Sequence, residues 1–210
     1  MEDAHRLALV AAGRRLGSRG LVTAAEGNLS IRLDEGRLLV SPAGRRKDEL
    51  APDDLVVVDL ESGAVVGAGR PTSDLAIHRA VYRARPEIGA IAHAHVPAAL
   101  ALSLAGETPD PAVLPETALL LPRLPLVAFG AMGSDDLGAR VAAAFADGSG
   151  PADVPRAVLL ERHGAIAVGA DLVEAVDRLE LVDVLCRVWR DARLLAPTTR
   201  FEPPVAPAPP

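Results

Sequence analysis

Hydrophobic residues recur every three to four positions along several stretches of the chain, which is the pattern of helices with one buried face. The first stretch covers residues 3–19, where Leu7, Val10 and Leu16 share one face and Gly20 follows as a C-cap. Similar patterns predict further helices over residues 74–85, 96–105, 135–146 and 171–195. Five helices are therefore expected, and the last of them is also amphipathic.

Short apolar runs between these helices have strand character. They cover residues 29–33, 37–41, 55–60, 88–95, 157–161 and 165–168. Asp34-Glu35-Gly36 separates the first two runs and predicts a hairpin turn. Because strands follow one another directly in the first half and helices interrupt the second half, we expect an α/β fold. Its sheet should be mainly antiparallel or mixed, with helices on both faces.

Proline content divides the rest of the chain. Residues 106–125 carry five prolines and are predicted to be a loop. Residues 197–210 are also rich in proline and show no periodicity, which predicts an extended or disordered tail. Residues 1–196 show no internal boundary, so they are expected to form a single domain.

Composition excludes several classes of protein. The formal net charge of -6, with no long basic stretch, argues against nucleic acid as a partner. Cys186 is the only cysteine, so no internal disulfide can form. No apolar run reaches the roughly 18 to 20 residues of a membrane span, and the N-terminal residues do not resemble a signal peptide. We therefore expect a cytoplasmic protein.

Lysine and tyrosine are each represented once. Lys47 lies in a polar loop without a GxxxxGK pattern, so it is a poor candidate for a Schiff base or a P-loop. Tyr82 falls on the second predicted helix, where a packing role is expected. The scarcity of both residue types disfavours lysine-based aldolase chemistry and leaves few aromatic groups for catalysis.

The segment Ala92-His93-Ala94-His95 is the strongest candidate for a functional site. Side chains alternate along a strand, so His93 and His95 project from one face and can converge on a metal ion. His163, in a turn between two predicted strands, is the best candidate for a third ligand. The alternative is that the two strand histidines are an ordinary half-exposed pair.

Other polar residues permit a functional and a structural interpretation. Residues 71–74 begin a predicted helix, where free N–H groups and hydroxyls can bind an anion or simply cap the helix. His78, one turn later, is expected to be a structural helix residue rather than a ligand. Glu116 lies in the proline-rich loop, where it is either a catalytic group or a solvated side chain.

Taken in order, these segments resemble the class II aldolase/adducin family, over about residues 3 to 196. The resemblance rests on residues 27–32 (GNLSIR), 40–44 (VSPAG), 69–74 (GRPTSD), 82–86 (YRARP), 92–95 (AHAH) and 159–164 (LLERHG). It implies a three-layer α/β/α sandwich and a homotetramer with active sites at subunit interfaces.

The resemblance also implies roles for individual residues. His93, His95 and His163 would bind a catalytic divalent metal, usually zinc, and Asp74 would be the general acid/base. The residues that match the family's phosphate pocket are Asn28, Gly44, Thr72 and Ser73. Glu116 would supply a further acid/base group, as a glutamate does in the family's methylthioribulose-phosphate dehydratases.

The sequence departs from the aldolase pattern at informative positions. Asp74 stands where aldolases carry glutamate, as it does in the family's 4-epimerases, and Ala43 replaces a hydroxyl residue that helps to hold phosphate. The tyrosines that fuculose-phosphate aldolase uses are missing. We therefore expect a zinc-dependent lyase that cleaves a ketose phosphate by retro-aldol chemistry. An epimerase, a dehydratase, a decarboxylase and a non-catalytic adducin-like module are the alternatives.

Overall fold

The computed structural model of the chain describes residues 2–148, 150, 153–198 and 200. The helices are α1 (Glu2–Ser18), α2 (Leu75–Ala84), α3 (Pro97–Leu104), α4 (Pro115–Leu120), α5 (Asp135–Ala146) and α6 (Leu172–Leu195). The strands are β1 (Asn28–Arg32), β2 (Arg37–Val40), β3 (Val56–Asp59), β4 (Val65–Val66), β5 (Ala90–Ala94), β6 (Leu126–Val127), β7 (Ala157–Leu160) and β8 (Gly164–Gly169). Short 3-10 turns cover Lys47–Glu49, Pro52–Asp54 and Pro111–Val113.

The strands form one sheet in the order β4-β3-β2-β1-β5-β8-β7-β6. Neighbouring strands are antiparallel except β6 and β7, which are parallel, so the sheet is mixed. Consecutive hairpins build the first half, as the short break at residues 34–36 predicts. Strand β5 then enters beside β1, at the middle of the sheet.

Helices cover both faces of this sheet and create two separate cores. On one face, buried residues of α1, α3 and α6 pack against the small side chains of Ala90, Ala92 and Ala94. On the other, Ile77 and Phe145, from α2 and α5, pack against Ile91 and its neighbours. The alternation along β5 thus directs alanines to one layer and its larger side chains to the other. The chain is an α/β/α sandwich, as predicted.

The five predicted helices and six predicted strands occur within one or two residues of the expected bounds. The prediction that residues 106–125 form a loop is wrong over α4, which contains Glu116. Pro115 occupies the first turn of that helix, where a missing N–H costs nothing, so proline starts a helix here. Strands β4 and β6 are two residues long, too short for a periodic pattern.

The C-terminal tail is described only in part. The predicted proline-rich tail begins at residue 197, and its residues 199 and 201–210 lie outside the part of the chain that the structure describes. Within the described part, no helix combines the length and the apolar character needed to span a bilayer.

A candidate metal centre and substrate cavity

The three predicted metal ligands meet at one end of the β5–β8 pair. His93 is in β5 and His95 directly follows it, while His163 precedes β8. Ala94 pairs with Ala165 in the antiparallel register, which brings the β7–β8 turn beside the end of β5. One nitrogen from each of the three rings lies within 4.8 Å of the others. The structure therefore brings together the three histidines, whose convergence the sequence could only suggest.

A hydrogen bond at Nδ1 orients one of the rings, and a carboxylate lies close to Nδ1 of a second. His93 donates from Nδ1 to the Ala165 carbonyl at 2.9 Å, and His95 Nδ1 lies 3.1 Å from Glu26 Oε2. This arrangement leaves the Nε2 lone pair of each ring for a ligand bond, as is usual for metal-binding histidines. Nε2 of His93 and both ring nitrogens of His163 are buried and have no hydrogen-bond partner among the described residues. The donor set thus fits a divalent ion such as zinc.

Burial keeps the centre in the protonation state that metal binding requires. Burial and the nearby His163 lower the pKa of His93 to about 3, which outweighs the opposing effect of Asp74. The pKa of His163 is also lowered, chiefly by burial. These two imidazoles are therefore neutral at physiological pH, and a neutral imidazole is the form that binds a metal.

Asp74 faces the histidine cluster from the start of α2. Its Oδ2 lies 3.8 Å from His93 Nε2 and 4.0 Å from His163 Nε2. Its buried Oδ1 has no hydrogen-bond partner within the described part of the chain. Burial alone would raise the pKa of Asp74, but His93, the Asn28 amide and His163 outweigh it and lower the pKa. Asp74 is therefore an ionised carboxylate with one oxygen available as a proton acceptor.

A buried hydrogen-bond chain holds Asp74 in place. Asn28 Nδ2 donates to Asp74 Oδ2 at 2.8 Å, and Asn28 Oδ1 lies 2.5 Å from His78 Nε2. His78 Nδ1 lies 2.6 Å from Ser30 Oγ, which lies 2.9 Å from the Tyr82 hydroxyl. Burial lowers the pKa of His78 to about 4, so the ring is neutral and donates from one nitrogen only. Because Asp74 can only accept, donation runs from Tyr82 towards Asp74.

A cavity of about 190 Å³ opens beside Asp74 and His95. The residues of the predicted phosphate pocket all line it, and they are Asn28, Gly44, Thr72 and Ser73. Two backbone hydrogen bonds join the loops that carry them, from Ala43 to Arg70 at 3.0 Å and from Thr72 to Ser41 at 3.1 Å. The two loops therefore act as one wall, although they are about 30 residues apart in sequence.

Capping does not explain the polar residues that precede α2. Asp74 is the N-cap residue, and its side chain makes no capping bond. Thr72 Oγ1 accepts a hydrogen bond from the Asp74 backbone N–H at 3.3 Å, which is a turn within the loop. The capping interpretation of this segment is therefore wrong. Its polar side chains belong to the cavity and to the buried network.

Glu116 is the one predicted site residue that the structure leaves away from the cavity. It is exposed on α4, and the cavity wall does not include it. Helix α4 packs against α6 and the turn at Pro111–Val113. Within one chain, its carboxylate therefore does not join Asp74 and the histidines.

Two charged residues of the cavity were not identified from the sequence. Glu26 Oε2 lies 3.1 Å from His95 Nδ1, and Lys47 is buried in the cavity wall. The place of Glu26 follows from the antiparallel register of β1 and β5, in which Asn28 pairs with His93. Glu26, two residues before Asn28, consequently lies next to His95, two residues after His93. No pattern in the sequence indicated Lys47.

The chain is similar to known proteins over most of its length. The class II aldolase and adducin N-terminal domain family matches residues 7–190. A 3-oxo-tetronate 4-phosphate decarboxylase from Haemophilus influenzae is 31% identical over 190 residues, covering 89% of this chain and 87% of the relative. A 5-methylthioribulose-1-phosphate/5-deoxyribulose-1-phosphate aldolase from Rhodospirillum rubrum is 31% identical over 196 residues, covering 92% of this chain and 84% of the relative.

A solved structure supports the same assignment. L-fuculose-1-phosphate aldolase from Thermus thermophilus superimposes with a TM-score of 0.79 at 29% identity, covering 92% of this chain and 96% of that chain. The fold is thus the sandwich of the class II aldolases, and many of the chain's relatives are enzymes. The chain belongs to the class II aldolase/adducin family.

Proposed function

We propose that this protein is a divalent-metal-dependent lyase that breaks the carbon–carbon bond of a small ketose phosphate by retro-aldol chemistry. One observation carries the proposal. Three histidines converge beside Asp74, and among the described residues His93, His163 and Asp74 (at Oδ1) all have buried polar atoms without a hydrogen-bond partner. Asp74 and His95 both line the cavity, so the carboxylate base and the edge of the histidine cluster border the same space.

The histidines supply only neutral nitrogen ligands, which suits zinc and leaves room for substrate oxygens. A divalent ion held by His93, His95 and His163 would polarise a substrate carbonyl as a Lewis acid. Lys47 has no need to form a Schiff base in such a reaction.

Asp74 would move the proton. Because it is ionised at neutral pH, it is first a base that takes the proton from the substrate hydroxyl as the carbon–carbon bond breaks. The hydroxyl oxygen becomes an aldehyde carbonyl, and the electron pair of the broken bond passes to the ketose fragment as an enediolate. Asp74 then returns the same proton to the enediolate carbon. The steps balance without an outside acid, so the absence of a tyrosine does not block them.

Phosphate binding would position the reacting carbons. Gly44, Thr72 and Ser73 line the end of the cavity near the start of α2, where backbone N–H groups and hydroxyls can meet phosphate oxygens. Binding energy from this remote group can be used to orient the reacting centre.

Decarboxylation of a 3-oxo sugar-acid phosphate is the second candidate. The shortage of tyrosine favours this reaction, because Tyr82 is the only tyrosine of the chain and its hydroxyl is buried against Ser30. No subunit of a homo-oligomer could therefore supply a phenol to help take the proton from the cleaved hydroxyl, so retro-aldol cleavage would depend on Asp74 alone. Loss of carbon dioxide needs no such group. The Haemophilus influenzae relative, named as a 3-oxo-tetronate 4-phosphate decarboxylase, is similar over most of its length.

Both candidates converge on the same product. Retro-aldol cleavage of a five-carbon ketose 1-phosphate and decarboxylation of 3-oxo-tetronate 4-phosphate both release dihydroxyacetone phosphate. They differ in the second product, which is an aldehyde or carbon dioxide. The test supplies zinc to purified protein, offers 5-deoxyribulose 1-phosphate or 3-oxo-tetronate 4-phosphate, and measures all three products. Asp74→Asn, which retains the metal ligands, is the matched control.

Aldehyde release in wild type and its loss in Asp74→Asn would support the retro-aldol assignment. Carbon dioxide without aldehyde would replace it with the decarboxylase. Epimerised or dehydrated ketose without cleavage would instead indicate one of the other family reactions. A protein that stays metal-free in excess zinc and converts neither substrate would refute the enzyme, leaving the adducin-like module. The homotetramer implied by the resemblance stays a prediction, to be tested by light scattering.

A further inference from the structure

A phosphorylated substrate in the proposed cavity would need a positive charge to balance its phosphate. A phosphate monoester carries a charge of about −1.5 to −2 near pH 7. The residues matched to the phosphate pocket are all uncharged, and the same cavity wall contains the carboxylates of Glu26 and Asp74. An anion in a buried site needs a positive charge or many hydrogen bonds to offset its desolvation.

Among the residues that the structure describes, Lys47 is the only lysine or arginine in the wall of this cavity. Its side chain is 1% exposed, which is rare for a lysine without an ionic partner. Among the described residues, no carboxylate lies within ion-pairing distance of its ammonium group. The other basic residues of the loop differ, since Arg45 pairs with Asp54 and Arg46 with Asp48 in exposed positions.

The hydrogen bonds of Lys47 leave part of its capacity unused. Nζ donates to the Ala25 carbonyl at 2.8 Å and to the Arg45 carbonyl at 2.6 Å. An ammonium group has three donors, so one remains. The two carbonyls belong to the turn before β1 and to the loop after Gly44, and these segments border the cavity. Lys47 thus closes the loop that carries Gly44 and holds its charge at the cavity wall.

We propose that Lys47 supplies the positive charge of the phosphate subsite, completing the uncharged donors of Gly44, Thr72 and Ser73. This inference rests on the phosphorylated substrate of the proposed function. Burial lowers the pKa of Lys47 to about 8, with Glu26 opposing the shift, so the group is charged but poorly compensated at neutral pH. A bound phosphate would provide the missing counter-charge.

A spectroscopic test can use the unmodified chain, because Lys47 is the only lysine. Protein grown with [13C]lysine gives a single lysine side-chain spin system. We expect the 13Cε resonance to shift and saturate when inorganic phosphate is added to the zinc-loaded protein. Sodium chloride at equal ionic strength should leave it unchanged. Saturable phosphate binding, measured by calorimetry, without a change at Lys47 would overturn the proposal.

Variants test the energetic contribution. Lys47→Met should weaken inorganic phosphate binding roughly 10- to 100-fold, the loss expected for a charged hydrogen bond. Lys47→Arg, which keeps the charge, should recover much of the affinity. Arg46→Met removes a charge from the same loop outside the cavity and should bind phosphate as wild type does. Zinc content and circular dichroism should match wild type in each variant. Equal affinity of Lys47→Met and wild type would refute the role of Lys47.

Failure of this inference is distinguishable from failure of the proposed function. If phosphate binds and the Lys47 resonance does not change, the lysine is structural and the lyase assignment stands. If phosphate shifts Lys47 but neither candidate substrate is converted, the subsite stands and the reaction is wrong. If phosphate does not bind to wild type, the phosphorylated substrate and the role of Lys47 are both refuted.

Discussion

Asn28 donates a hydrogen bond to Asp74 across 46 residues of sequence, with 2.8 Å between Nδ2 and Oδ2. The bond ties the first residue of β1 to the residue before α2. The other end of the amide bonds His78, so the orientation of Asn28 is fixed from two sides. The carboxylate proposed as the base is therefore positioned by a side chain that the sequence suggested only for phosphate binding.

Replacing Asn28 should separate positioning from stability. Asn28→Ala removes the partners of Asp74 Oδ2 and His78 Nε2, and buried groups left unsatisfied cost about 1–3 kcal/mol each. We expect the free energy of unfolding to fall by about 2 kcal/mol or more, and turnover to fall at least about 10-fold, the factor that a loss of 1.4 kcal/mol gives. Urea denaturation and initial rates measure the two effects.

Ser30→Ala is the matched control for that variant. It also breaks the buried chain, because Ser30 lies between His78 and Tyr82, but it leaves the contact between Asn28 and Asp74 intact. We expect a comparable loss of stability with turnover near wild type. Equal losses of turnover in the two variants would mean that Asn28 acts only through the fold.

His78 should make stability depend on pH. Its pKa is about 4 in the folded protein, because burial disfavours the charged ring, and is near 6.5 in an unfolded chain. Between these two pH values the unfolded chain binds more protons than the folded protein does. The free energy of unfolding therefore rises with pH, and it decreases as the pH falls from 6.5 to 4. The full effect is about 3 kcal/mol.

The measurement compares wild type with His78→Gln, both free of metal, in urea titrations between pH 4 and pH 7. The variant cannot titrate at this position, so its stability should decline less steeply as pH falls, by up to one proton. Identical slopes for the two proteins would contradict a neutral His78 in the native state.

Local patterns predicted most of the fold, because the helices and longer strands carry clear periodicity. They failed where an element is too short to show a period, as in β4 and β6, or where proline begins a helix rather than ends one, as at Pro115. The position of His93 and His95 on one face also followed from strand geometry alone.

The sequence could not predict what depends on pairing between distant segments. The approach of His163 to the other histidines follows from the register of β5 and β8, and Glu26 reaches His95 through the pairing of β1 with β5. Lys47 has no periodic neighbours, and its burial arises only when its loop folds against the turn at Ala25. Such contacts are set by tertiary packing, which local spacing does not encode.

Removing one histidine should remove the metal. His163→Ala deletes one of three clustered ligands, whereas His5→Ala changes a histidine on α1 outside that group. Atomic absorption of protein dialysed against zinc should give about one ion per chain for wild type and His5→Ala, and clearly less for His163→Ala. Zinc retained at the wild-type level by His163→Ala would exclude His163 as a ligand.

Gly164 should be needed to place His163, because no other residue fits its conformation. Its φ is +135°, and a Cβ added there would lie 2.2 Å from the Ala94 carbonyl oxygen. Gly164→Ala must therefore shift the turn between β7 and β8 away from β5, which moves His163 from His95. We expect lower stability, by about 1–3 kcal/mol, and weaker zinc binding. Gly106→Ala is the control, since its φ of +72° is also positive but open space surrounds it. Zinc affinity should fall only in Gly164→Ala, and an equal fall in both variants would refute the placement role.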